Sequence, residues 1–496
     1  MDGTREKVIK EIMDWVDVAK GPNILWLRSM PGAGKSAIAQ TLVQLLIKKR
    51  RSGGNFFFSR DDTERRTPFA LWCHILYSLS CQFPGFKRKA AEHIRVNLVE
   101  VQSSQASDIL KIVFETLASL EEGDIPLDEM PVIVVDALDE CPMRSLRPSR
   151  RRQSVLDGLH RFSQLSSRIK FIVTSREDSD IRNVLENGIS HSVHLHTGEQ
   201  ADEYISQDIR HYLKQELVAH IDGSYLTHER LEKLSQRAAG LFVWASIAIR
   251  FVVHPSGTPV DRFERLLEDG ELGKHDDELS KLYHILLTEE FGVNPDGSVA
   301  LAFQRVVGTL VVAATPLTLD ELVNLLADSQ DPTPLGKSSV KRMLERIGMV
   351  TSKPTTASHI RFSHRSFPEF LLRPHSQNQF YEIDRYRSES YLTFRCLYVM
   401  NTNLRFIIGR FPSYHTNDKY ATLGLVKERI SPALRYAVQY FASHLVKHPP
   451  SSDLLAILQT FFDEHLLHWL ELMSLLALIP TTTVALHAIL DWISKV

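Results

Sequence analysis

Cysteine is scarce in this sequence, and neither sign of charge predominates. Only four of the 496 residues are cysteines, and they have neither C-x-x-C spacing nor the density of a disulfide framework. The 58 Lys and Arg residues nearly balance the 60 Asp and Glu residues, which gives a formal net charge of −2. The first absence predicts reduced thiols in an intracellular, cytoplasmic protein. The second makes nucleic acid and anionic membranes unexpected partners.

A long apolar segment is also missing. The two most apolar stretches, residues 241–253 and 466–479, are interrupted by Arg250, His468 and Glu471. Neither provides the roughly 18 consecutive apolar residues of a membrane-spanning helix, so both are predicted to be buried helices. The N-terminal residues are charged and form no apolar signal core, so we expect neither secretion nor a membrane partner.

Internal repeats and low-complexity tracts are absent too, and what remains is the composition of an ordinary globular protein. Hydrophobic residues make up 43% of the chain and charged residues 24%. A chain of 496 residues is too long for a single hydrophobic core, so several domains are expected.

The most informative feature present is a glycine-rich segment near the N-terminus. Apolar residues 24–27 predict a short strand, Gly32-Ala-Gly-Lys-Ser36 a tight turn, and residues 37–47 a helix. In such a phosphate-binding loop, backbone N–H groups surround phosphate oxygens, Lys35 adds positive charge, and the Ser36 hydroxyl ligates Mg²⁺. The alternative is a turn whose lysine points to solvent. The predicted nucleotide-binding residues are Ser29, Met30, Pro31, Gly32, Ala33, Gly34, Lys35, Ser36 and Ala37.

One position departs from the pattern G-x-x-x-x-G-K-[ST]. Ser29 stands where the first glycine is expected. Serine fits a turn if its φ is negative, whereas a positive φ would strain the loop and weaken nucleotide binding. The sequence leaves these two outcomes open.

Four further apolar runs follow the loop and alternate with helical stretches. They predict a parallel five-stranded sheet with helices on both faces, the α/β core of a P-loop NTPase. Ligands bind such sheets at the carboxyl ends of the strands, where the glycine loop, residues 136–140 and Arg176 are expected to lie. The runs are residues 55–59, which follow a Gly-Gly turn, 131–136, 169–175 and 191–196.

The rest of the chain is predicted to be helical. The spacing of apolar residues in 301–350, followed by a short strand pair near residue 359, predicts a winged-helix module. The expected domains are an N-terminal helix in 1–20, a nucleotide-binding core in 21–198, a small helical domain in 199–290, the winged helix in 291–375 and a C-terminal helical domain in 376–496.

Charged residues at the predicted strand ends are candidates for catalysis. Asp136 is expected to hold Mg²⁺ directly or through water, because a cation that bridges phosphates requires a nearby carboxylate. Asp139 and Glu140 are expected to orient or deprotonate a water molecule, although a solvated acidic turn has the same pattern. Arg176 follows the next strand and would either contact a γ-phosphate or form a structural salt bridge.

Two other features are less specific. His364 is either a histidine satisfied by the backbone or a ligand contact. Residues 143–152 include five arginines and could form a nucleic-acid contact or a localisation signal. A solvated loop is favoured for this run because aromatic residues are not interleaved with the arginines.

These segments together resemble the NACHT group of signal transduction ATPases with numerous domains (STAND), in the fungal form related to heterokaryon-incompatibility proteins and nephrocystin-like N-terminal modules. The resemblance spans residues 3–371, and residues 432–437 and 466–472 resemble the helical region that follows in such proteins. The matching strings are Gly3-Thr-Arg5 with Trp15, residues 24–41, Phe56-Phe-Phe-Ser-Arg60-Asp-Asp, Val135-Asp-Ala-Leu-Asp-Glu-Cys141, Phe171-Ile-Val-Thr-Ser-Arg176, Gly240-Leu-Phe-Val-Trp-Ala and His364-Arg-Ser-Phe-Pro-Glu-Phe-Leu.

The resemblance implies a switch driven by ATP and ADP, with Mg²⁺ as cofactor. In the family, ADP is held between the core and the winged helix, and exchange for ATP opens the module so that it self-assembles and presents an effector. The implied roles are phosphate and Mg²⁺ binding for Lys35 and Ser36, the Walker B acid for Asp136, water positioning for Asp139 and Glu140, a sensor for Arg176, and ADP contact in the closed state for His364.

Two features of such proteins are not recognised here: a C-terminal repeat array and an N-terminal effector domain. The chain is therefore expected to be a switch that self-associates or assembles with full-length NACHT relatives. The expected function is a slow ATPase acting as a nucleotide-gated oligomerisation switch in fungal non-self recognition. The alternatives are a nucleotide-binding scaffold without hydrolysis, a DNA-handling ATPase and, last, a small-molecule phosphotransferase.

Overall fold

A computed structural model shows two compact units, Met1–Leu279 and Ser280–Val496. The finer domain boundaries expected from the sequence stay predictions. The residues that the structure describes are 4–18, 21–60, 62, 65–96, 106–121, 130–142, 152–165, 168–197, 203–268, 277–327, 335–352, 358–374, 379–408, 423–447, 449 and 451–494.

The first unit is built on a five-stranded sheet in the order β2-β3-β4-β1-β5, and all neighbouring strands are parallel. This arrangement confirms the predicted α/β fold class. The strands are β1 (Ile24–Ser29), β2 (Ser52–Phe57), β3 (Val132–Asp136), β4 (Lys170–Ser175) and β5 (Ser190–Leu195).

Both faces of the sheet are covered by helices, because the central strands are apolar on both sides. In β1, Ile24 and Trp26 belong to one buried cluster, whereas Leu25 and Leu27 belong to another on the opposite face. The helices of this unit are α1 (Glu6–Asp17), α2 (Lys35–Lys48), α3 (Pro68–Gln82), α4 (Pro84–Val96), α5 (Ala106–Ala118), α6 (Gln153–Phe162), α7 (Ser179–Leu185), α8 (Glu203–Leu217), α9 (His228–Ala238), α10 (Phe242–Val252) and α11 (Pro259–Leu267).

The predicted Gly-Gly turn before the second strand is wrong, because both glycines lie inside β2. A Cβ atom on Gly53 would lie 2.6 Å from Cβ of Pro131, and one on Gly54 would lie 2.9 Å from Cβ of Ser78. The strand therefore needs glycine because its neighbours approach the backbone closely, which local sequence does not reveal.

The second unit is helical in the part that the structure describes. Isolated antiparallel bridges join Thr318 to His359 and Thr351 to Phe362, where the winged-helix prediction expects a strand pair. The helices are α12 (Glu278–Phe291), α13 (Gly297–Val312), α14 (Leu319–Leu326), α15 (Lys337–Arg346), α16 (Ser366–Leu371), α17 (Arg385–Asn403), α18 (Leu423–Arg429), α19 (Pro432–Leu445), α20 (Ser452–Thr460), α21 (Leu466–Leu475) and α22 (Ile479–Ile493), with a π-helical turn at Phe461–His465.

The two most apolar stretches form α10 and α21. Within α10, eight side chains including Trp244 are buried, whereas α21 buries Trp469, Leu472 and Met473 and leaves Leu467 exposed. Among the described residues, no helix combines the length and apolar character needed to cross a membrane. All four cysteines are free thiols.

Candidate functional site

The glycine-rich segment forms a loop between β1 and α2. Ser29 is the last residue of β1 and Lys35 the first of α2. Gly32 and Gly34 have φ angles of 85° and 95°, a left-handed backbone that favours glycine. The residue before α2 is Gly34, which has no side chain to cap the helix. Its first-turn N–H groups are therefore available to an anion, and the helix dipole favours negative charge there.

Two contacts from distant segments hold the carbonyl groups of this loop. The Val243 N–H donates to the Gly32 carbonyl at 3.1 Å, and the Arg5 guanidinium donates to the Ala33 carbonyl at 2.8 Å. In a trans peptide the C=O and N–H bonds point in opposite directions. The N–H groups of Ala33 and Gly34 consequently point away from these two contacts, as a phosphate cradle requires.

Arg5 is a functional candidate that the sequence reasoning quoted without giving it a role. Its side chain is buried, lies 5.0 Å from the centre of the Phe242 ring, and has no hydrogen-bond partner for Nε and Nη1 among the described residues. Burial lowers the pKa of Arg5 to about 10, although Asp208 opposes the shift. The guanidinium is thus an incompletely paired cation beside the loop. Its only sequence signal is its place in the Gly3-Thr-Arg5 string.

The side chain of Lys35 folds back over the glycine loop toward the end of β1. Its ammonium donates to the Ser29 carbonyl at 2.9 Å, to Ser29 Oγ at 3.1 Å and to the Met30 carbonyl at 3.1 Å. Burial lowers its pKa to about 8, while Asp139 raises it and Arg176 lowers it further. The lysine is therefore a cation held at the loop rather than one directed to solvent.

The structure also answers the question raised by Ser29. Among the described residues with positive φ, Ser29 does not occur, so its backbone is not strained. Its hydroxyl accepts from Lys35 and donates to the Met30 carbonyl at 3.0 Å. The serine is accommodated at the end of the strand and gives Lys35 an acceptor that glycine lacks.

The carboxylate of Asp136 ends β3 and is buried. Thr174 Oγ1 donates to Asp136 Oδ1 at 2.5 Å and accepts from the Ala137 N–H at 3.0 Å. Burial raises the pKa of Asp136, although Thr174 and the hydroxyl of Ser36 both favour its charged form. The Asp136 carboxylate therefore lies beside Ser36, and the groups around it do not fully offset the cost of burying its charge.

Asp139 forms an ion pair with Arg176. The carboxylate accepts from the Arg176 backbone N–H and from its Nε, each at 3.2 Å. Asp139 is buried and Arg176 half-buried. In this structure the arginine thus makes the salt bridge that was one of its two predicted roles.

Glu140 is more accessible than Asp139, and the turn that carries both residues is held by two arginines. The Arg60 N–H donates to Glu140 Oε2 at 3.2 Å, and the Arg60 guanidinium donates to the Asp139 carbonyl at 2.7 Å. Arg152 donates to the same carbonyl at 3.1 Å. Neither arginine received a role in this site from the sequence, because both reach the turn through tertiary contacts.

Arg152 corrects part of the interpretation of the basic run as a solvated loop. Its side chain is 1% exposed and pairs with Asp178 at 2.9 Å and with Asp180 at 2.8 Å. The preceding residues, 143–151, lie outside the described residues. At least this arginine of the run is therefore part of the protein interior.

The structure brings most of the predicted site residues together. The glycine loop, residues 136–140 and Arg176 follow β1, β3 and β4, which are adjacent strands of one parallel sheet. His364 belongs to the second unit, where its Nδ1 lies 2.6 Å from Ser366 Oγ and accepts from the Ser366 N–H at 3.2 Å. These local contacts agree with a histidine satisfied near the start of α16, and its contact with ADP stays a prediction.

The donor set fits Mg²⁺ bound together with phosphate. Among the described residues, no group of three or more His, Cys, Asp or Glu side chains could hold a metal by itself. The Ser36 hydroxyl and the undercompensated Asp136 carboxylate are hard oxygen ligands, and Mg²⁺ is usually held by one or two such ligands plus phosphates and water.

Comparison with known sequences supports this picture. Residues 3–176 match the nephrocystin 3 N-terminal family. The match covers less than half of the chain, but it includes the glycine loop, residues 136–140 and Arg176. No curated protein matches the sequence.

Solved structures give weaker similarities. A STAND protein with a tetratricopeptide repeat sensor from Pyrococcus horikoshii is 13% identical with a TM-score of 0.41, over 95% of this chain and 57% of that protein. The ORC2 protein of Aeropyrum pernix is 10% identical with a TM-score of 0.32, over 79% of this chain and 92% of that one. The chain thus spans little more than half of the Pyrococcus protein, and likeness at this level does not establish a shared function.

Proposed function

We propose that this chain is an ATP- and ADP-binding P-loop NTPase of the STAND type that acts as a nucleotide-gated oligomerisation switch in intracellular signalling. The observation that carries the proposal is the glycine loop after β1, held by Arg5 and Val243 and contacted by Lys35, with three acidic residues at the end of β3 in the same sheet. The family match over residues 3–176 supports the same assignment.

Phosphate binding follows from charges that are incompletely paired. The ammonium of Lys35 would exchange its loop acceptors for β- and γ-phosphate oxygens, and the backbone N–H groups of residues 32–37 would surround the phosphates. Arg5 would add positive charge from the other side of the loop. Because burial lowers the pKa of both cations, a bound anion would stabilise their charged forms.

Mg²⁺ would be held by Ser36 and Asp136. Bound Mg²⁺ neutralises charge on the phosphates it bridges. The protein's own part is to keep the Asp136 carboxylate in position, which the hydroxyl of Thr174 does.

The geometry favours Glu140 over Asp139 as the residue that orients water. The Asp139 carboxylate is buried and paired with Arg176, whereas Glu140 is half-buried, so its carboxylate is the more accessible of the two. Asp139 would then act by positioning Arg176, the proposed sensor of the γ-phosphate.

A nucleotide-binding scaffold without hydrolysis is the second candidate, and one observation favours it. The Asp139–Arg176 pair ties together two of the residues that hydrolysis would use. A DNA-handling ATPase loses support, because Arg152 of the basic run is buried and paired.

The finer identity belongs to the same proposal. We infer a NACHT-type switch of fungal non-self recognition that self-associates or assembles with full-length relatives. In it, His364 of a winged-helix domain within residues 291–375 would contact ADP in the closed state.

Calorimetric titration of the purified chain with ADP and with ATP·Mg²⁺ tests nucleotide binding, and mass spectrometry identifies any nucleotide that copurifies. We expect Lys35→Ala to lower affinity by about a hundredfold or more, since it removes a charge-assisted contact to phosphate. Lys48→Ala, at the far end of α2, is the control and should bind normally. Equal affinity in wild type and Lys35→Ala would contradict the assignment.

Phosphate release and size measurements then separate switch from scaffold. We expect Glu140→Gln to bind ATP normally and to hydrolyse it about a hundredfold more slowly, because water would lose its orienting carboxylate. Glu186→Gln, which lies outside the site, is the control. Wild type should assemble with ATP and dissociate with ADP. Assembly with ATP but no turnover in wild type would favour the scaffold.

A further inference from the structure

A cleft of about 340 Å³ lies between α13 and α15 in the second unit. On each helix the lining positions recur three or four residues apart, so they lie on one face of that helix. Its lining includes Val299, Ala302 and Arg305 from α13 and Arg342, Met343 and Arg346 from α15.

Three positive charges face this cleft. Arg305, Arg342 and Arg346 line it, and no carboxylate occurs among its lining residues. Arg342 and Arg346 are four residues apart on one helix, where like charges repel each other. Two acidic residues lie close to the lining of the cleft. Asp296 accepts from Ser298 Oγ at 2.7 Å, and burial lowers the pKa of Arg346 although Glu290 opposes the shift. A bound anion would relieve the remaining repulsion.

Aromatic rings restrain two of the three guanidinium groups. Arg346 lies 4.0 Å from the centre of the Phe291 ring and donates to the Glu290 carbonyl. Arg305 lies 5.7 Å from the centre of the Tyr391 ring. Stacking of this kind restrains a guanidinium and so reduces the entropy lost when a ligand binds.

The remaining walls indicate the kind of anion. Val299, Ala302 and Met343 are apolar, so part of the ligand would be apolar as well. The volume falls within the range of about 300–1,000 Å³ that is typical of small-molecule sites. An arginine pair in such a pocket is suited to a phosphate group, which accepts two parallel N–H bonds.

The lysines of α15 argue against a nucleic-acid backbone as the ligand. Lys337 pairs with Asp320 at 2.7 Å, and Lys341 pairs with Glu345 at 3.7 Å. The positive charge of the helix outside the cleft is therefore compensated by neighbouring carboxylates. We propose that the cleft between α13 and α15 binds a small organic phosphate, with its phosphate on the three arginines and its apolar part on Val299, Ala302 and Met343.

Equilibrium dialysis of the full chain against 4-methylumbelliferyl phosphate tests this proposal. We expect saturable binding of one molecule per chain. In Arg342→Gln and in Arg305→Gln the affinity should fall by at least about tenfold, since each variant loses a charge-assisted hydrogen bond. Lys341→Gln is the matched control on the same helix, and it should bind normally. Far-UV circular dichroism and thermal unfolding check that each variant is folded.

Two further measurements identify the site and the ligand class. Lys35→Ala should keep its affinity for the probe, and 4-methylumbelliferone, which lacks the phosphate, should bind at least about tenfold more weakly. The proposal is overturned by absence of saturable binding, by equal affinity in the arginine variants, or by loss of binding in Lys35→Ala. Tighter, arginine-dependent binding of a double-stranded oligonucleotide would also overturn it in favour of a nucleic-acid surface.

Discussion

Each of the two units contains a cluster of buried titratable groups, but the clusters differ in how completely their charges are compensated. In the first unit, Asp136 and Lys35 lie at the carboxyl ends of the strands. Burial outweighs their partners, so that the pKa of Asp136 is raised and that of Lys35 is lowered to about 8. Each is therefore a charge with too little opposite charge around it.

The cluster of the second unit is closed by its own partners. Glu389 lies 2.6 Å from His444 Nδ1 and 2.5 Å from the ammonium of Lys447. His444 Nε2 lies 2.9 Å from the hydroxyl of Tyr436, which accepts from the Ala314 N–H at 2.9 Å. Burial alone would raise the pKa of Glu389, but hydrogen bonds from His444 and Lys447 outweigh it and lower the pKa overall.

This difference is the one expected between a structural network and the nucleotide site proposed for the first unit. A buried network whose members satisfy one another stabilises a fold and has no need of a ligand. The proposed site for ATP and Mg²⁺ would instead hold a cation and an anion that lack part of their compensation, because the ligand would supply it. The pKa of Asp136 and that of Glu389 therefore shift in opposite directions although both carboxyl groups are buried.

Neutralising the two carboxylates is the strongest test of this comparison. Glu389→Leu removes the carboxylate that pairs with His444 Nδ1 and with Lys447, and it should lower the free energy of unfolding by about 3 kcal/mol. Asp136→Asn removes an undercompensated charge and should leave the free energy of unfolding unchanged or raise it by about 1 kcal/mol. Denaturant unfolding measures both, and equal destabilisation by the two substitutions would break the comparison.

Lys447→Gln is the control for this test. Because Lys447 is half-exposed, its substitution should lower the free energy of unfolding by less than about 1 kcal/mol. The effect of Glu389→Leu should also depend on pH. Because the folded-state pKa of Glu389 is lowered, its stabilisation is present above the ordinary pKa of a glutamate, about 4.3. It is lost as the pH falls through the folded-state pKa. The difference between wild type and Glu389→Leu should therefore shrink in acid.

Removing Arg5 tests whether the first cluster depends on a contact made from outside the loop. Arg5→Ala should weaken ATP·Mg²⁺ binding by about tenfold, because the Ala33 carbonyl loses a charge-assisted donor and the loop loses a cation. Lys7→Ala, whose ammonium stacks on Tyr204 instead, is the matched control for calorimetry. Unchanged affinity in Arg5→Ala would show that the loop keeps its shape unaided.

Raising the pH tests whether Lys35 is the undercompensated cation. Bound phosphate would raise the pKa of Lys35 from about 8. The affinity should therefore be greatest below that pH, where Lys35 is already protonated, and binding above it should require proton uptake. Affinity for ATP·Mg²⁺ should fall above about pH 8 and approach a tenfold loss per pH unit. Affinity independent of pH between about 7 and 9.5 would contradict the lowered pKa.

The smallest expected effect concerns Ser29. Because Ser29 has no positive φ, Ser29→Gly relieves no strain and should change nucleotide affinity by less than about threefold. Titration of wild type and variant side by side measures the ratio. A large gain in affinity would mean that the hydroxyl competes with phosphate for Lys35.

Sequence patterns predict the central part of the site because its residues are contiguous. The loop from Ser29 to Ser36 and the carboxylates after β3 follow directly from strands whose apolar runs are visible in the sequence. The parallel sheet follows from the same runs, since strands buried on both faces must be apolar throughout. The turn predicted for the Gly-Gly pair of β2 is wrong, because the packing partners Pro131 and Ser78 are remote in sequence.

The sequence by itself determined the presence of a phosphate loop, the carboxylates beside it and the α/β class, since each depends on neighbouring residues. The tertiary structure decided what compensates the charges. Arg5 reaches Ala33 across 28 residues, Arg60 reaches the Asp139 carbonyl across 79, and Glu389 pairs with His444 across 55. Such partners meet only when the chain folds, because desolvation and ion pairing depend on distances in space rather than on spacing along the chain.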